Sequence, residues 1–206
     1  MTTVSVFRNH QLTANRPLSN ILFQIQKGTD REIVENYRQL LFDGKDDWAD
    51  QLLFQLPYFP PAGHFLAIRR KDDLVQYSSF IMLETNPLRE KEIAETRQTI
   101  IADPQVYACF RNIAGNALVL LVPVETEAHQ HQRTFNKLCQ YFTQMVGLAL
   151  NSTGFRVTDG CYCSSDPDTF INSDAVPFPL QPKPVPSPPA SNAAALPTTA
   201  GAALFF

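Results

Sequence analysis

At 206 residues the chain has room for one domain with an extension. Its 44% hydrophobic and 11% aromatic content supplies a core, while 17 basic against 20 acidic residues, net −3, argue against a dedicated duplex-DNA binder, whose affinity rests on a basic excess facing phosphate. No run of about 18 apolar residues occurs, and the first residues lack a charged segment leading into an apolar one. The expectation is a cytoplasmic protein without a membrane span, with Cys109, Cys139, Cys161 and Cys163 reduced.

Alternation over residues 4–8 predicts a first strand. Thr29, with Glu32 three residues on, has the form of a capping box and opens a helix running to Phe42, with Gly44 suited to its end. A second amphipathic helix is expected over 46–54, with Trp48, Leu52 and Leu53 inward. Pro57, Pro60, Pro61 and Gly63 then force a loop. A strand over 65–68 leads into the polar Arg69-Arg70-Lys71-Asp72-Asp73, and a more apolar strand follows over 79–84. Pro87 breaks it, and 88–102 has helical spacing.

Strands over 106–112 and 117–124 flank Ile113-Ala114-Gly115-Asn116, which reads as a hairpin turn. A long helix lies within 126–148, with Phe135, Leu138, Tyr141, Phe142 and Val146 on one stripe. A short strand over 161–164 and a capped turn at Asp166-Pro167-Asp168 close the domain. The pattern predicts an α+β fold over 1–178, a mostly antiparallel sheet with helices packed on one face. Eight of the 16 prolines fall between Pro177 and Pro197, so 179–206 is expected to be a disordered Pro/Ala-rich tail. Its Pro179 to Pro182 spacing suits an SH3-type ligand less well than a plain extension, and Leu204-Phe205-Phe206 is a candidate docking peptide.

The chemistry centres on the strand ending Glu84-Thr85-Asn86. Side chains two apart on a strand share a face. Two carboxylates so placed clamp paired divalent metals for phosphoryl transfer. Here the second position is an amide. Cys161 and Cys163 alternate onto one face, but their spacing differs from the usual zinc pair, so core cysteines are the simpler reading. His129 and His131, two apart on a helix, diverge, and His64 in the Pro/Gly loop reads as a surface imidazole. Arg69, Arg70 and Lys71, with Arg89 and Lys91, form a possible phosphate-facing edge, against which Asp72, Asp73, Glu90 and Glu92 favour a solvated, neutralised face. The sequence has no Gly-rich phosphate loop and no Gly-x-Ser-x-Gly or His-Glu-x-x-His motif.

Four segments together resemble one family. They are Leu56-Pro57-Tyr58-Phe59 with Gly63; the strand from Phe80 to Leu88; Phe110 to Leu118 running into Val122-Pro123-Val124; and Cys161 to Asp168. Over roughly 30–178 their order and spacing resemble the VirE N-terminal-like domain of Bacteroidetes mobile elements, a divergent relative of the archaeo-eukaryotic primase-polymerase superfamily. The resemblance implies a primase-polymerase-like sheet and three catalytic motifs. A family strand ending Leu-Asp-x-Asp-x-Leu corresponds to Leu83-Glu84-Thr85-Asn86-Pro87-Leu88. A Ser-Pro-Ser-Gly turn leading to Gly-Leu-Lys corresponds to Asn112-Ile113-Ala114-Gly115 and Ala117-Leu118-Val119, which leaves valine at the lysine. An acid followed by Lys-Asp-x-Ser-Arg corresponds by spacing to Asn151 and then Phe155, Arg156, Thr158 and Asp159.

Two of three metal carboxylates would thus be amides, and the phosphate cations are absent. A neutral amide carbonyl poorly replaces a carboxylate opposite Mg²⁺. The resemblance therefore implies a degenerate, non-catalytic primase-like domain, with Glu84, Asn86, Asn112, Asn151 and Arg156 as remnant binding positions. As a mobile-element accessory it would bind single-stranded nucleic acid or a replication or mobilisation protein, without a cofactor. The alternative is residual nucleotidyl transfer with Mg²⁺ or Mn²⁺ on Glu84. A purely structural protein sharing the sheet is the third reading.

Overall fold

The computed structural model describes residues 1–179. The expected tail beyond Pro179, with Pro182 and Leu204-Phe205-Phe206, lies outside the described residues.

The chain begins with a hairpin, β1 (Thr3–Arg8) and β2 (Gln11–Pro17), followed by α1 (Leu18–Lys27). Sequence reading missed β2 and α1. In β2 the inward positions are only half-buried, and its Ala, Asn and Arg residues carry little strand preference. Yet α1 buries Leu18, Ile21, Leu22 and Ile25, the i, i+3, i+4, i+7 stripe of an amphipathic helix.

Gly28 ends α1 in the left-handed conformation, and the Thr29 amide donates back to the Gln24 carbonyl at 3.0 Å. Thr29 is therefore spent on the end of α1. The capping box expected there does not form: α2 (Arg31–Phe42) has Asp30 at its N-cap, with no side-chain cap bond. At the far end, Gly44 and Lys45 amides bond the Leu41 and Leu40 carbonyls, closing α2 as its glycine suggested. The next helix, α3 (Asp46–Leu53), buries Ala49 rather than Trp48, which is 65% exposed; Leu52 and Leu53 are half-buried.

After β3 (Tyr58–Phe59) come β4 (Gly63–Phe65) and β5 (Leu74–Tyr77), which pair with each other. The strand expected over 65–68 is thus shifted back. A register shift at His64/Phe65 turns the chain outward, and Leu66 is exposed. The remaining elements are β6 (Phe80–Glu84), α4 (Glu90–Ile101), β7 (Ala108–Arg111), β8 (Leu118–Pro123), α5 (His131–Val146), β9 (Cys161–Tyr162) and β10 (Phe170–Ile171). A 3₁₀ turn at Ala128–Gln130 precedes α5, which is the long helix expected within 126–148.

The fold is α+β, as expected. The central antiparallel sheet has the order β10-β7-β8-β6, and a second runs β2-β1-β3-β9. Period-2 alternation divides the central sheet between two cores. Ile81, Leu83, Cys109, Leu118, Leu120 and Val122 face α4 and α5, where they meet Ile93, Ile100, Phe135, Leu138 and Phe142. Phe80, Met82, Ala108, Phe110, Val119 and Leu121 face the second sheet and α1. Helices therefore cover both faces, not one, because a central sheet this apolar cannot leave either side to water. Full burial of each Leu, Ile, Val or Phe is worth about 1.5–3 kcal/mol.

Candidate functional site

β6 lies at the edge of the central sheet, and its last residue is Glu84. By alternation Glu84 shares the face of Phe80 and Met82, toward the second sheet. Asn112 follows β7 on that same face, and its side-chain amide donates to Glu84 Oε1 at 2.9 Å. Between them stands Val119, fully buried and in register with both Glu84 and Phe110. The Cys161 thiol lies near enough that Glu84 adds to the upward push on its pKa, after burial and Cys163.

The other Asn112 atoms are equally committed. Its Oδ1 accepts from the Asn116 and Ala117 amides at 3.2 and 3.3 Å, closing the β7–β8 turn. Its carbonyl accepts from Ser164 Oγ at 2.9 Å and from Arg38 at 3.2 Å. Arg38 also donates to the Ile113 carbonyl, Ser164 Oγ and the Ser165 carbonyl. Burial, then the nearby Arg111, lowers the Arg38 pKa. The turn needs glycine at 115: φ is +79°, and an added Cβ would stand 2.9 Å from Arg38 Nε. This web ties α2, the hairpin and the segment after β9 into one rigid end.

Segment 149–154 covers the open edge of β6. The Asn151 amide donates to the Glu84 carbonyl at 2.9 Å, and the Asn86 amide to the Ala149 carbonyl at 3.3 Å. The Asn151 side chain donates to the Thr85 carbonyl and accepts from the Thr153 amide. Gly154, φ +98°, presses on the Met82 carbonyl so closely that a Cβ would lie 2.0 Å from that oxygen. Thr85 is buried, and its Oγ1 accepts the Leu118 amide at 3.0 Å. Glu84, Asn86, Asn112 and Asn151 therefore gather at one strand end, where Glu84 is the single carboxylate. Asn86 is exposed. Arg156 makes no hydrogen bond or ion pair to any of the four; its amide caps to Asp159 at 2.8 Å.

Asp166 is 2% exposed and accepts from Arg97 at 2.8 Å and from the Arg111 amide at 2.7 Å. The expected turn is present, yet its first residue is the anchor of a buried ion pair. Sequence reading missed Arg97, although Ile93, Arg97 and Ile100 fall at i, i+4 and i+7 on the inward face of α4.

A cleft of about 350 Å³ is lined by Arg69, Arg70, Lys71, His129, His131 and Arg156 among others. Glu92 neutralises Arg89 of the basic cluster, as expected, whereas Glu90 pairs with Arg111 outside it. Among the described residues Arg69, Arg70, Lys71 and Arg156 form no ion pair. Arg69 stacks over Tyr58 at 4.0 Å and donates to the Thr158 carbonyl, which seats the cleft against the second sheet. A second cavity of about 360 Å³ shares Arg156 and is lined by Asp159 and by the half-buried Tyr58 and Phe155. Arg89 and Lys91 line neither.

His131 is buried under the cleft rather than paired with His129. Its Nε2 donates to the Gly154 carbonyl at 2.9 Å, so its Nδ1 accepts from Tyr77 Oη at 2.9 Å. Burial lowers its pKa. His64 is half-buried, and its Nδ1 is buried without a partner among the described residues. All four cysteines are free thiols, with Cys109 and Cys163 pushed up to about 12 by burial. Among the described residues no three His, Cys, Asp or Glu side chains stand close enough to share a metal, and no helix is long and apolar enough to cross a membrane.

Residues 51–170 match the family described as BT4734-like, N-terminal domain. That is more than half of the 206 residues, and the chain belongs to this family. No curated protein and no solved structure matches it.

Proposed function

We propose that this member of the BT4734-like N-terminal domain family is a degenerate, non-catalytic relative of the VirE N-terminal-like and primase-polymerase domains. In this reading it serves a mobile element as an accessory, binding single-stranded nucleic acid in preference to a replication or mobilisation protein. The supporting observation is the pairing of Glu84 with the Asn112 amide, in a set whose other members, Asn86 and Asn151, are also amides. One carboxylate with three amides does not fit a two-metal clamp, which needs anionic oxygens to offset the charge of two divalent cations. Nucleotidyl transfer has no second acid among these four residues to complete it.

The test pairs two assays on the full chain. Primer extension with Mg²⁺ or Mn²⁺ and nucleoside triphosphates is expected to give no product, while a single-stranded oligonucleotide binds at low salt. Metal-dependent extension that disappears in Glu84→Gln would replace this reading with the residual polymerase one. Failure to bind single strands at low salt, where phosphate contacts are strongest, would shift the role to a protein partner.

A further inference from the structure

We infer that the cleft bounded by Arg69, Arg70, Lys71 and Arg156 holds the phosphates of single-stranded nucleic acid, with its bases passing across Arg156 toward Tyr58 and Phe155. This rests on the nucleic-acid branch of the proposed function and locates it away from the Glu84 strand end.

The first ground is charge. The chain as a whole is acidic, and Arg8, Arg31, Lys45, Arg89, Arg97 and Arg111 all have carboxylate partners. Among the described residues the four cleft cations form no ion pair; Arg16, Lys27, Arg38, Lys91 and Arg133 form none either, but these four meet at one concavity from two stretches far apart in sequence. Four like charges at one concavity repel each other, and a polyanion is the ligand that converts this cost into affinity.

Shape and chemistry narrow the ligand. The cleft is a concavity of about 350 Å³, and a second of about 360 Å³, which Asp159 also lines, shares Arg156 with it. That is a groove for one strand, not a broad face for a duplex, and the acidic remainder of the surface would oppose the wider contact. Aromatic rings beside backbone-tracking cations are the usual platform for unpaired bases. Tyr58 is held by Arg69 on its ring and by an edge contact with Tyr162, centroids 5.1 Å apart. Phe155 is braced against Phe135 at 5.7 Å. Both rings are therefore fixed before a ligand arrives, which lowers the entropic cost of binding. An acidic peptide would match the charge but would leave the aromatic half of the groove without a role.

The experiment measures fluorescence anisotropy of labelled oligothymidylate, about 16 nucleotides long, with the full chain and four variants. Arg70→Gln/Lys71→Gln and Arg156→Gln are each expected to weaken binding several-fold, and the triple variant more than tenfold. The triple variant should also flatten the dependence of log affinity on log salt by about 2, from about 0.7 per lost phosphate contact. Lys91→Gln, off the cleft, should bind like the parent. These side chains make no internal ion pair, and unchanged melting confirms each variant is folded. Single-strand binding that the triple variant leaves intact would overturn the cleft assignment while the proposed function stands. No single-strand binding by the parent chain overturns both. Equal affinity for a duplex of the same length, or for a poly-glutamate peptide, overturns the assignment of the groove to single strands.

Discussion

The Asn112 side-chain amide donates to Glu84 Oε1 at 2.9 Å while its oxygen closes the β7–β8 turn. One amide thus fixes both the hairpin and the carboxylate, and it can do both because its donor and its acceptor sit on separate atoms. In Asn112→Asp the acceptor role survives, but the donor becomes a second anion facing Glu84. The variant should lose about 2 kcal/mol at pH 7.5 and recover much of it near pH 4.5, where one carboxyl of the pair takes a proton. Urea unfolding at the two pH values measures this, and an equal loss at both would show that charge repulsion is not the cause.

The Arg97–Asp166 pair is buried on both sides, at 8% and 2% side-chain exposure. Removing one partner strands the other charge away from water. Asp166→Asn should therefore cost about 3–5 kcal/mol, far more than Glu90→Gln, which breaks the pair with Arg111 on a carboxylate that is 75% exposed and is worth at most about 1 kcal/mol. Denaturant midpoints of the two variants compare them directly.

Burial holds the His131 pKa below its ordinary value, so the unfolded chain takes up the proton first as pH falls. Stability linked to His131 is therefore complete above the unfolded value of about 6.5 and is lost as pH drops through the lower folded value. Protonated imidazole has two donors, so the Tyr77 hydroxyl would lose its acceptor. Melting temperature should fall as pH drops below about 6.5, and His131→Gln should show a weaker decline.

Gly154 and Gly147 both sit at positive φ, yet their surroundings differ. Alanine at 147 meets nothing within 4 Å and should cost about 1 kcal/mol of backbone strain. Alanine at 154 would drive its Cβ into the Met82 carbonyl and lift the segment off the edge of β6, which should cost about 3 kcal/mol or more. Thermal unfolding of both variants separates strain from collision.

Trp48, the chain's single tryptophan, is 65% exposed. Its emission should be that of a solvated indole in the folded protein and quench readily with acrylamide. Trp48→Ala should change stability by less than about 0.5 kcal/mol, whereas Phe59→Ala, at a fully buried site, should cost about 3–5 kcal/mol.

What the sequence by itself determined was local. The apolar run before Glu84, the Gly115 turn, and the stripe of Phe135, Leu138 and Phe142 each declared strand, hairpin and helix, because periodicity and turn chemistry act between near neighbours. Tertiary structure decided the rest. Thr29 looked like a helix cap until α1, ending two residues earlier, claimed its amide. Trp48 looked inward until only Ala49 found a surface to cover. Arg97 and Asp166 are 69 residues apart, and Arg70 and Arg156 come from separate loops, so neither partnership leaves a mark in spacing. Glu84, read as half of a metal site, is held by an amide 28 positions away. A side chain's chemistry is set by what faces it, and the packing of the two sheets and their loops brought those groups face to face.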